Sequence, residues 1–67
     1  MVQNIDYWFF VRDDNHFKRA VVQAPEMPLE EAKVYFHEQT GKAILDIGYG
    51  KEVPKGFRML PEYQINN

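Results

Sequence analysis

Apolar and polar positions alternate along two neighbouring segments near the start of the chain. Ile5 to Arg12 is rich in aromatic and β-branched residues, and Phe17 to Ala24 is also β-prone. The polar cluster Asp13-Asp14-Asn15-His16 separates them. Asp and Asn favour tight turns, because their side chains bond nearby backbone groups and tolerate the left-handed conformation. The pattern predicts a β-hairpin.

The next segment has the features of an amphipathic helix. Pro28 followed by two glutamates is typical of a helix start, since proline gives up an amide that is unpaired there and the carboxylates complement the positive end of the dipole. We expect the helix to run to about Thr40 and to end at Gly41 in the left-handed conformation. At 100° per residue, its apolar side carries Leu29, Ala32, Tyr35, Phe36 and Gln39.

Two further strands are predicted after the helix. Ala43 to Tyr49 alternates with the period of a strand that has one covered face. Phe57 to Leu60 is long enough for a short fourth strand before Pro61, and we expect residues 62–67 to form a tail. The order predicts one α+β domain spanning residues 1–67, a two-layer ββαββ unit with a single helix packed on a small, mostly antiparallel sheet. A β-grasp-like arrangement is one topology with that order.

Composition narrows the class of protein. The chain has 67 residues, of which 45% are apolar and 15% aromatic, as in a folded globular domain. It has no cysteine, which excludes disulfides and Cys-ligated zinc and fits an intracellular setting. Its net charge of -2 disfavours an autonomous nucleic-acid binder. Without a long apolar run or a basic, apolar leader, we expect an unprocessed cytoplasmic protein with no membrane contact.

The most informative run is Tyr7-Trp8-Phe9-Phe10-Val11, in which every residue is large and apolar. In a strand these residues point alternately to the two faces of the sheet. One helix can cover only one face. If the set containing Phe9 faces the helix, Trp8 and Phe10 emerge on the other face, beside Ile44 and one of the valines Val21 and Val22.

An exposed aromatic pair with charged neighbours has the composition of a protein interface, an apolar centre within a polar rim. The predicted partner-binding site has Trp8 and Phe10 at its centre and, at its rim, Asp6, Arg12, Asp13 and Asp14. The partner is a host protein or, in a homodimer, a second copy of the chain. Alternatively, the C-terminal segment around Phe57, Met59 and Tyr63 folds back over the pair and forms a second small core.

Few residues are suited to catalysis. The chain contains no serine, no cysteine and only two histidines, so the Ser-His and Cys-His nucleophile pairs are excluded. Asp13 to His16 includes metal-ligand residue types, but four consecutive positions of a tight turn cannot easily aim at one ion. Gly48-Tyr49-Gly50-Lys51 lacks the spacing of a phosphate-binding loop. We therefore predict no enzyme activity, no metal and no cofactor.

Four features of the first fifty residues are considered together. They are the opening Met1-Val2-Gln3-Asn4, the acidic turn Asp13-Asp14, Leu29 in the first helical turn and the Ile44-Leu45 strand. In length and element order they resemble the uracil-DNA glycosylase inhibitors of short-tailed Bacillus phages. The resemblance implies a dimeric DNA mimic that occupies a glycosylase's DNA-binding cleft. No functional residue of that family has a match here, so none is carried over. Small, cysteine-free, mildly acidic α+β domains are also similar to other phage-encoded inhibitors, anti-CRISPR proteins among them.

These observations favour a non-enzymatic protein-binding domain. We expect a phage or mobile-element inhibitor, with an anti-defence role, of a host nucleic-acid-handling protein such as a DNA-repair glycosylase or a CRISPR effector. One alternative is a small sheet that binds single-stranded nucleic acid, stacking bases on Trp8 and Phe10 and using Arg12, Lys18 and Arg19 for phosphates. Another is a structural or virion subunit that packs its open face against copies of itself.

Overall fold

In the part of the chain that the structure describes, a three-stranded sheet has one helix packed on it. The computed structural model describes residues 3–63. In chain order the elements are β1 (Asn4–Asp13), β2 (His16–Pro25), α1 (Leu29–Thr40), β3 (Ala43–Tyr49) and a single 3-10 turn, Lys55–Phe57. The strands are ordered β2-β1-β3, and both neighbouring pairs are antiparallel. The predicted α+β class, with a single helix on a small antiparallel sheet, is confirmed.

β1 and β2 form the predicted hairpin, and it is longer than the sequence pattern indicated. Ten residue pairs join the two strands, from Asn4 with Pro25 to Asp13 with His16. Asp14, in the two-residue connection, adopts a left-handed φ of 58°. Aspartate tolerates this conformation better than most residues, which explains why the polar cluster forms the turn.

α1 begins and ends close to the predicted positions. Pro28 is the N-cap rather than the first helical residue, and its carbonyl accepts from the Ala32 amide at 2.9 Å. At the other end Gly41 has a left-handed φ of 69°, and its amide donates to the His37 carbonyl at 2.8 Å. Glycine adopts this conformation without the penalty that a Cβ imposes, so the helix ends there.

Two tyrosine hydroxyls fix the loop that leads into the helix. The Tyr7 hydroxyl donates to the Pro25 carbonyl at 2.9 Å and accepts from the Met27 amide at 3.0 Å. The Tyr49 hydroxyl donates to the Met27 carbonyl at 2.7 Å. Because Tyr7 lies on β1 and Tyr49 on β3, the loop is held by both strands, and this sets the position from which α1 crosses the sheet.

The main core lies between α1 and the sheet. Phe36 contacts the two central aromatics of β1, with its ring centroid 4.9 Å from Phe9 and 5.4 Å from Tyr7. Ala32 lets the helix approach closely one turn earlier. Tyr35 and Gln39, predicted on the buried side, are exposed. The buried members of this core are Tyr7, Phe9, Val11, Ala20, Ala24, Ala32, Phe36 and Ile44.

A β-bulge in β3 changes which residues reach that core. The register between β1 and β3 shifts, so that Phe10 pairs with Asp46 but Val11 pairs with Ile44, and Leu45 is the extra residue. The bulge brings Ile44 to the helix side, where it is buried. The prediction that Ile44 lies beside Trp8 is therefore wrong, because strict alternation does not hold across a bulge. Val21, by contrast, does pair with Trp8.

The chain after β3 crosses the face of the sheet that α1 leaves open. We call residues 50–63 the strap. The predicted strand Phe57–Leu60 is absent, since Lys55–Phe57 is a 3-10 turn and a bend follows. The strap instead reaches the outer edge of β2, where Glu62 forms a parallel bridge with Arg19. Glu62 and Tyr63 are thus paired rather than part of a tail, and residues 64–67 lie outside the described part of the chain.

The topology also differs from a β-grasp, which places a parallel strand beside β1. Here β3 is antiparallel to β1, and the parallel contact of the described residues is the Glu62 bridge at the edge of β2. β2 and β3 therefore run in the same direction on either side of β1, and α1 connects them over one face. The strap returns from β3 to β2 over the opposite face.

Both outer edges of the sheet carry additional hydrogen bonds. On β2, the Arg19 amide donates to the Pro61 carbonyl at 3.0 Å, and the Arg19 carbonyl accepts from the Tyr63 amide at 2.7 Å. On β3, the Ile47 amide bonds the adjacent Asp46 Oδ1 at 2.9 Å. The Gly50 amide donates to the Asp6 carbonyl, so the Gly50 amide points toward β1. Along an antiparallel strand, backbone amides point alternately toward and away from the neighbouring strand, and the Ile47 amide therefore points away from β1. Asp46 therefore occupies an outward donor of the β3 edge.

Candidate protein-binding surface

The predicted aromatic centre, Trp8 and Phe10, lies on the face opposite the helix, as expected from strand alternation. The strap covers Phe10 almost completely and leaves Trp8 half-buried. Phe10 is only 2% exposed, and its ring centroid lies 4.2 Å from that of Phe57 in the strap. Trp8 is half-buried beside it, with the two ring centroids 5.3 Å apart. The expectation that Phe10 is exposed is therefore wrong, and the alternative in which the C-terminal segment folds back is realised through Phe57.

Trp8 lies flat on the backbone of its cross-strand partner. It pairs with Gly48 on β3, and a Cβ at Gly48 would overlap the indole ring. Because Gly48 has no side chain, the indole ring of Trp8 fits in the space beside it. Glycine at this position is required for close approach, not for an unusual φ.

The strap covers this face unevenly. Val53 is buried, whereas Met59, which the alternative also placed over Trp8 and Phe10, is 95% exposed. Tyr63 packs instead against the helix-side core. Two arginine hydrogen bonds hold the strap in place. Arg58 Nε donates to the Val53 carbonyl at 3.0 Å, which links two parts of the strap. Arg19 Nε donates to the Leu60 carbonyl at 2.9 Å, which links the strap to β2.

The four predicted rim residues fall on different parts of the hairpin. Asp6 and Arg12 share the strap face with Trp8, and Asp6 accepts from Gln23 Nε2 at 3.2 Å. Arg12 Nε donates to the Asp14 carbonyl at 3.3 Å, so both residues belong to the hairpin turn. Asp13 alternates onto the helix side of β1. The structure therefore places Asp6 and Arg12 on either side of the aromatic pair along β1, whereas Asp13 lies on the opposite face and Asp14 in the turn.

Asp13 joins the hairpin to the loop between α1 and β3. Its carboxylate contacts Lys18 Nζ at 2.8 Å and Lys42 Nζ at 3.0 Å. The hydrogen bonds from Lys18 and Lys42 lower the pKa of Asp13 below its usual value, and Asp13 in turn raises the pKa of Lys42. Two lysines already satisfy this carboxylate, so it acts as a tertiary contact between two loops.

Three exposed apolar side chains of the strap face, Phe17, Leu45 and Phe57, lie around one groove. We define the apolar groove as the open cavity of about 370 Å³ next to the hairpin end of this face. Exposed fractions are 53% for Phe17, 47% for Leu45 and 44% for Phe57. Buried Phe10 forms part of the groove wall, and Asp46 supplies its polar group. The groove is lined by Phe10, Phe17, Leu45, Asp46, Phe57 and Leu60.

Sequence reasoning missed four residues of this groove: Phe17, Leu45, Asp46 and Leu60. Phe17 follows the polar turn and pairs with Arg12 across the hairpin, so alternation already placed it on the Trp8 face. Leu45 reaches the groove at the bulge, for which the sequence has no local signal. Leu60 lies in the segment predicted as a strand.

Within residues 3–63, no group of three or more His, Asp or Glu side chains is arranged to hold a metal ion. In the same residues no helix is long and apolar enough to cross a membrane.

Comparison with known proteins found no match: no family model, no curated protein and no solved structure is similar to this chain.

Proposed function

We propose that this protein is a protein-binding domain and that the apolar groove is its contact surface. The observation that carries the proposal is the cluster of exposed large side chains around the groove, with Phe17, Leu45 and Phe57 each near half exposed. Scattered single apolar residues are normal on a protein surface, whereas several gathered around one concavity are typical of an interaction site.

The groove also has the anatomy of an interface centre. Two of its three aromatic side chains are held by each other, because Phe57 packs on buried Phe10. A partner side chain entering the groove would remove apolar surface from water on both sides without having to order the aromatic wall first. Asp46 offers a carboxylate oxygen at the rim, although one oxygen already accepts from the Ile47 amide.

We propose further, from the resemblance in length and element order, that the partner is a host nucleic-acid-handling protein and that the domain inhibits it without being an enzyme. The nucleic-acid alternative has less support. Stacking needs open ring faces, and Phe10 is covered by Phe57. Lys18, one of its proposed phosphate contacts, is paired with Asp13 on the helix side.

Affinity capture with a matched pair of variants tests the proposal. Leu45→Asp places a carboxylate in the groove, and Val34→Asp puts one on α1, on the opposite side of the sheet, where Val34 is 57% exposed. We expect one protein from a lysate of the host cell to be retained by the wild type and by Val34→Asp. Its affinity for Leu45→Asp should fall about tenfold or more, as for a central contact.

Circular dichroism spectra and melting curves show whether both variants fold. Equal retention by Leu45→Asp and the wild type would contradict the proposal, as would selective loss with Val34→Asp. Sedimentation of the isolated chain across a dilution series distinguishes a second copy as the occupant. In that case a dimer forms in the wild type and dissociates in Leu45→Asp.

A further inference from the structure

A second pocket on the strap face has the opposite chemistry to the apolar groove. It is an open cavity of about 410 Å³ near the other end of the strap. Three cationic side chains and one carboxylate line it, over a floor of two valines. These residues are Arg19, Lys51, Arg58, Glu52, Val21 and Val53. We call this cavity the basic pocket. It carries three positive charges against one negative charge, in a chain whose net charge is -2.

Both arginines of the basic pocket are oriented by the backbone. Arg19 Nε donates to the Leu60 carbonyl at 2.9 Å, and Arg58 Nε donates to the Val53 carbonyl at 3.0 Å. Each bond uses one donor of a guanidinium that has five, and it fixes the plane of the group. The loss of side-chain freedom on binding is thereby reduced for two of the three cations.

Glu52 shows which kind of group fits this pocket. Its carboxylate lies 3.4 Å from Arg58 Nη2, at the outer limit of a hydrogen bond, and the side chain is exposed. Such an exposed pair is weak and easily exchanged. A carboxylate from outside could therefore replace Glu52 on Arg58, in a cavity that Arg19 and Lys51 also line.

We infer that the basic pocket binds a carboxylate of an acidic segment in a protein partner. The inference rests on the proposed protein-binding function and specifies the chemistry of the partner. Phe17, Arg19 and Val21 are alternate residues on one face of β2, so the apolar groove and the basic pocket are neighbours along that strand. A segment with a large apolar side chain and, a few residues away, an acidic side chain would fit both.

Nucleic-acid phosphates are disfavoured as the source of the anion. The groove beside the pocket is apolar and carries Asp46, and the pocket itself contains Glu52. A polyanion lying along this face would meet both carboxylates, whereas a single acidic side chain in the pocket would meet only Glu52.

Arginine Nε–H resonances in NMR spectra provide a direct test with the isolated chain. The chain has three arginines, and each Nε donates to a backbone carbonyl. Arg12 lies at the hairpin turn, outside the pocket, and serves as an internal control. On titration with a blocked triglutamate peptide, we expect the resonances of Arg19 and Arg58 to shift while that of Arg12 stays. A blocked triglutamine peptide should shift none of them.

Three single substitutions sharpen the test. Lys51→Gln should weaken triglutamate binding about two- to fivefold, as expected for one partly exposed ion pair. Lys55→Gln makes the same charge change in the strap outside the pocket lining and should leave the affinity nearly unchanged. Glu52→Gln removes the competing carboxylate and should strengthen binding by a similar factor. Thermal melting confirms that all three variants fold.

Absence of any shift with triglutamate would overturn the inference, and so would equal effects of Lys51→Gln and Lys55→Gln. A short oligothymidylate that binds much more tightly than triglutamate, with a steep dependence on salt, would also overturn it in favour of phosphate recognition. These titrations need no partner protein. Their failure is therefore distinct from failure of the capture experiment, in which the apolar groove alone is altered.

Discussion

The two faces of the sheet are covered in different ways. On one face α1 is a continuous helix, and the β1 side chains beneath it, Tyr7, Phe9 and Val11, are completely buried. On the other face the strap is an irregular segment. It buries Phe10 and Val53, but Trp8 is only half-buried and Phe57 is half-exposed above Phe10.

The difference has a geometric cause. A helix presents a side chain to the sheet at every turn, so its apolar stripe fills the space along its whole length. The strap has one 3-10 turn and is held by two arginine-to-carbonyl bonds and one bridge at the β2 edge. It therefore covers the middle of the face and leaves a cavity on each side. The face with the less complete cover is the one that carries both candidate binding sites.

The largest effect is expected from removing the aromatic ring that joins helix and sheet. Phe36→Ala should destabilise the domain by about 3 to 5 kcal/mol, against about 3 to 10 kcal/mol in total for a chain of this length. Phe57→Ala, its counterpart in the strap, should cost about 1 to 2 kcal/mol, because part of that ring is already in water.

Urea denaturation followed by far-ultraviolet circular dichroism measures both changes. Phe36→Leu, a milder truncation, allows the comparison if Phe36→Ala does not fold. Equal losses for the Phe57 and Phe36 variants would mean that the strap contributes as much to stability as the helix, and the distinction between the two faces would no longer hold.

A smaller effect is expected where Trp8 lies on Gly48. Gly48→Ala places a methyl group in the space of the indole ring, and such overpacking costs about 1 to 3 kcal/mol. Because Trp8 is the one tryptophan of the chain, its fluorescence should shift to the red and be quenched more readily by iodide.

Gly56→Ala is the matched control, since no atom lies within 4 Å of an added Cβ at Gly56. We expect no loss of stability and no change in emission for this variant. A Gly48→Ala protein with unchanged emission would show that Trp8 has room to move, and hence that the strap face is more open than described.

The smallest effect concerns Asp13, at the turn end of β1 and outside the main core. Its folded-state pKa is lowered by Lys18 and Lys42, so the folded state binds this proton more weakly than the unfolded chain does. Its contribution is therefore fully present above its ordinary pKa of 3.8 and is lost as the pH falls through the lower folded value. The difference in unfolding free energy between wild type and Asp13→Asn should persist at neutral pH and vanish in acid.

Lys42 has the opposite dependence. Its pKa is raised above 10.5 by Asp13, so its contribution is present below that value and is lost as the pH rises through the higher folded value. Urea denaturation of wild type and Asp13→Asn at several pH values, repeated at high salt, checks both limits. A difference between the two proteins that is independent of pH and salt would mean that Asp13 acts through packing rather than charge.

Local signals in the sequence predicted most of the fold. The turn residues between β1 and β2, proline before α1 and glycine after it each act within a few positions, and the elements they bound are confirmed. The strap was not predictable in the same way. Arg19 contacts Leu60 across 41 residues of sequence, and neither residue carries a local indication of the other.

The candidate site was predicted in part, for the same reason. Alternation correctly placed Trp8 and Phe10 on the face away from the helix, because the β1–β2 register is regular. It left open which of Val21 and Val22 lies beside them, and the register shows that it is Val21. It failed for Ile44 and Leu45, where one extra residue in β3 exchanges the faces. It also could not say that Phe57 lies over Phe10, which depends on how the chain returns across the sheet.

The hydrogen bonds at the two sheet edges bear on how the protein behaves at high concentration. A bare strand edge is a template for intermolecular pairing and leads to aggregation. Here the Arg19 position of β2 is occupied by the chain's own residues 61–63, and the Ile47 amide of β3 by Asp46. Loss of the Asp46 carboxylate, as in Asp46→Ala, would free that amide next to an exposed leucine and promote fibril formation.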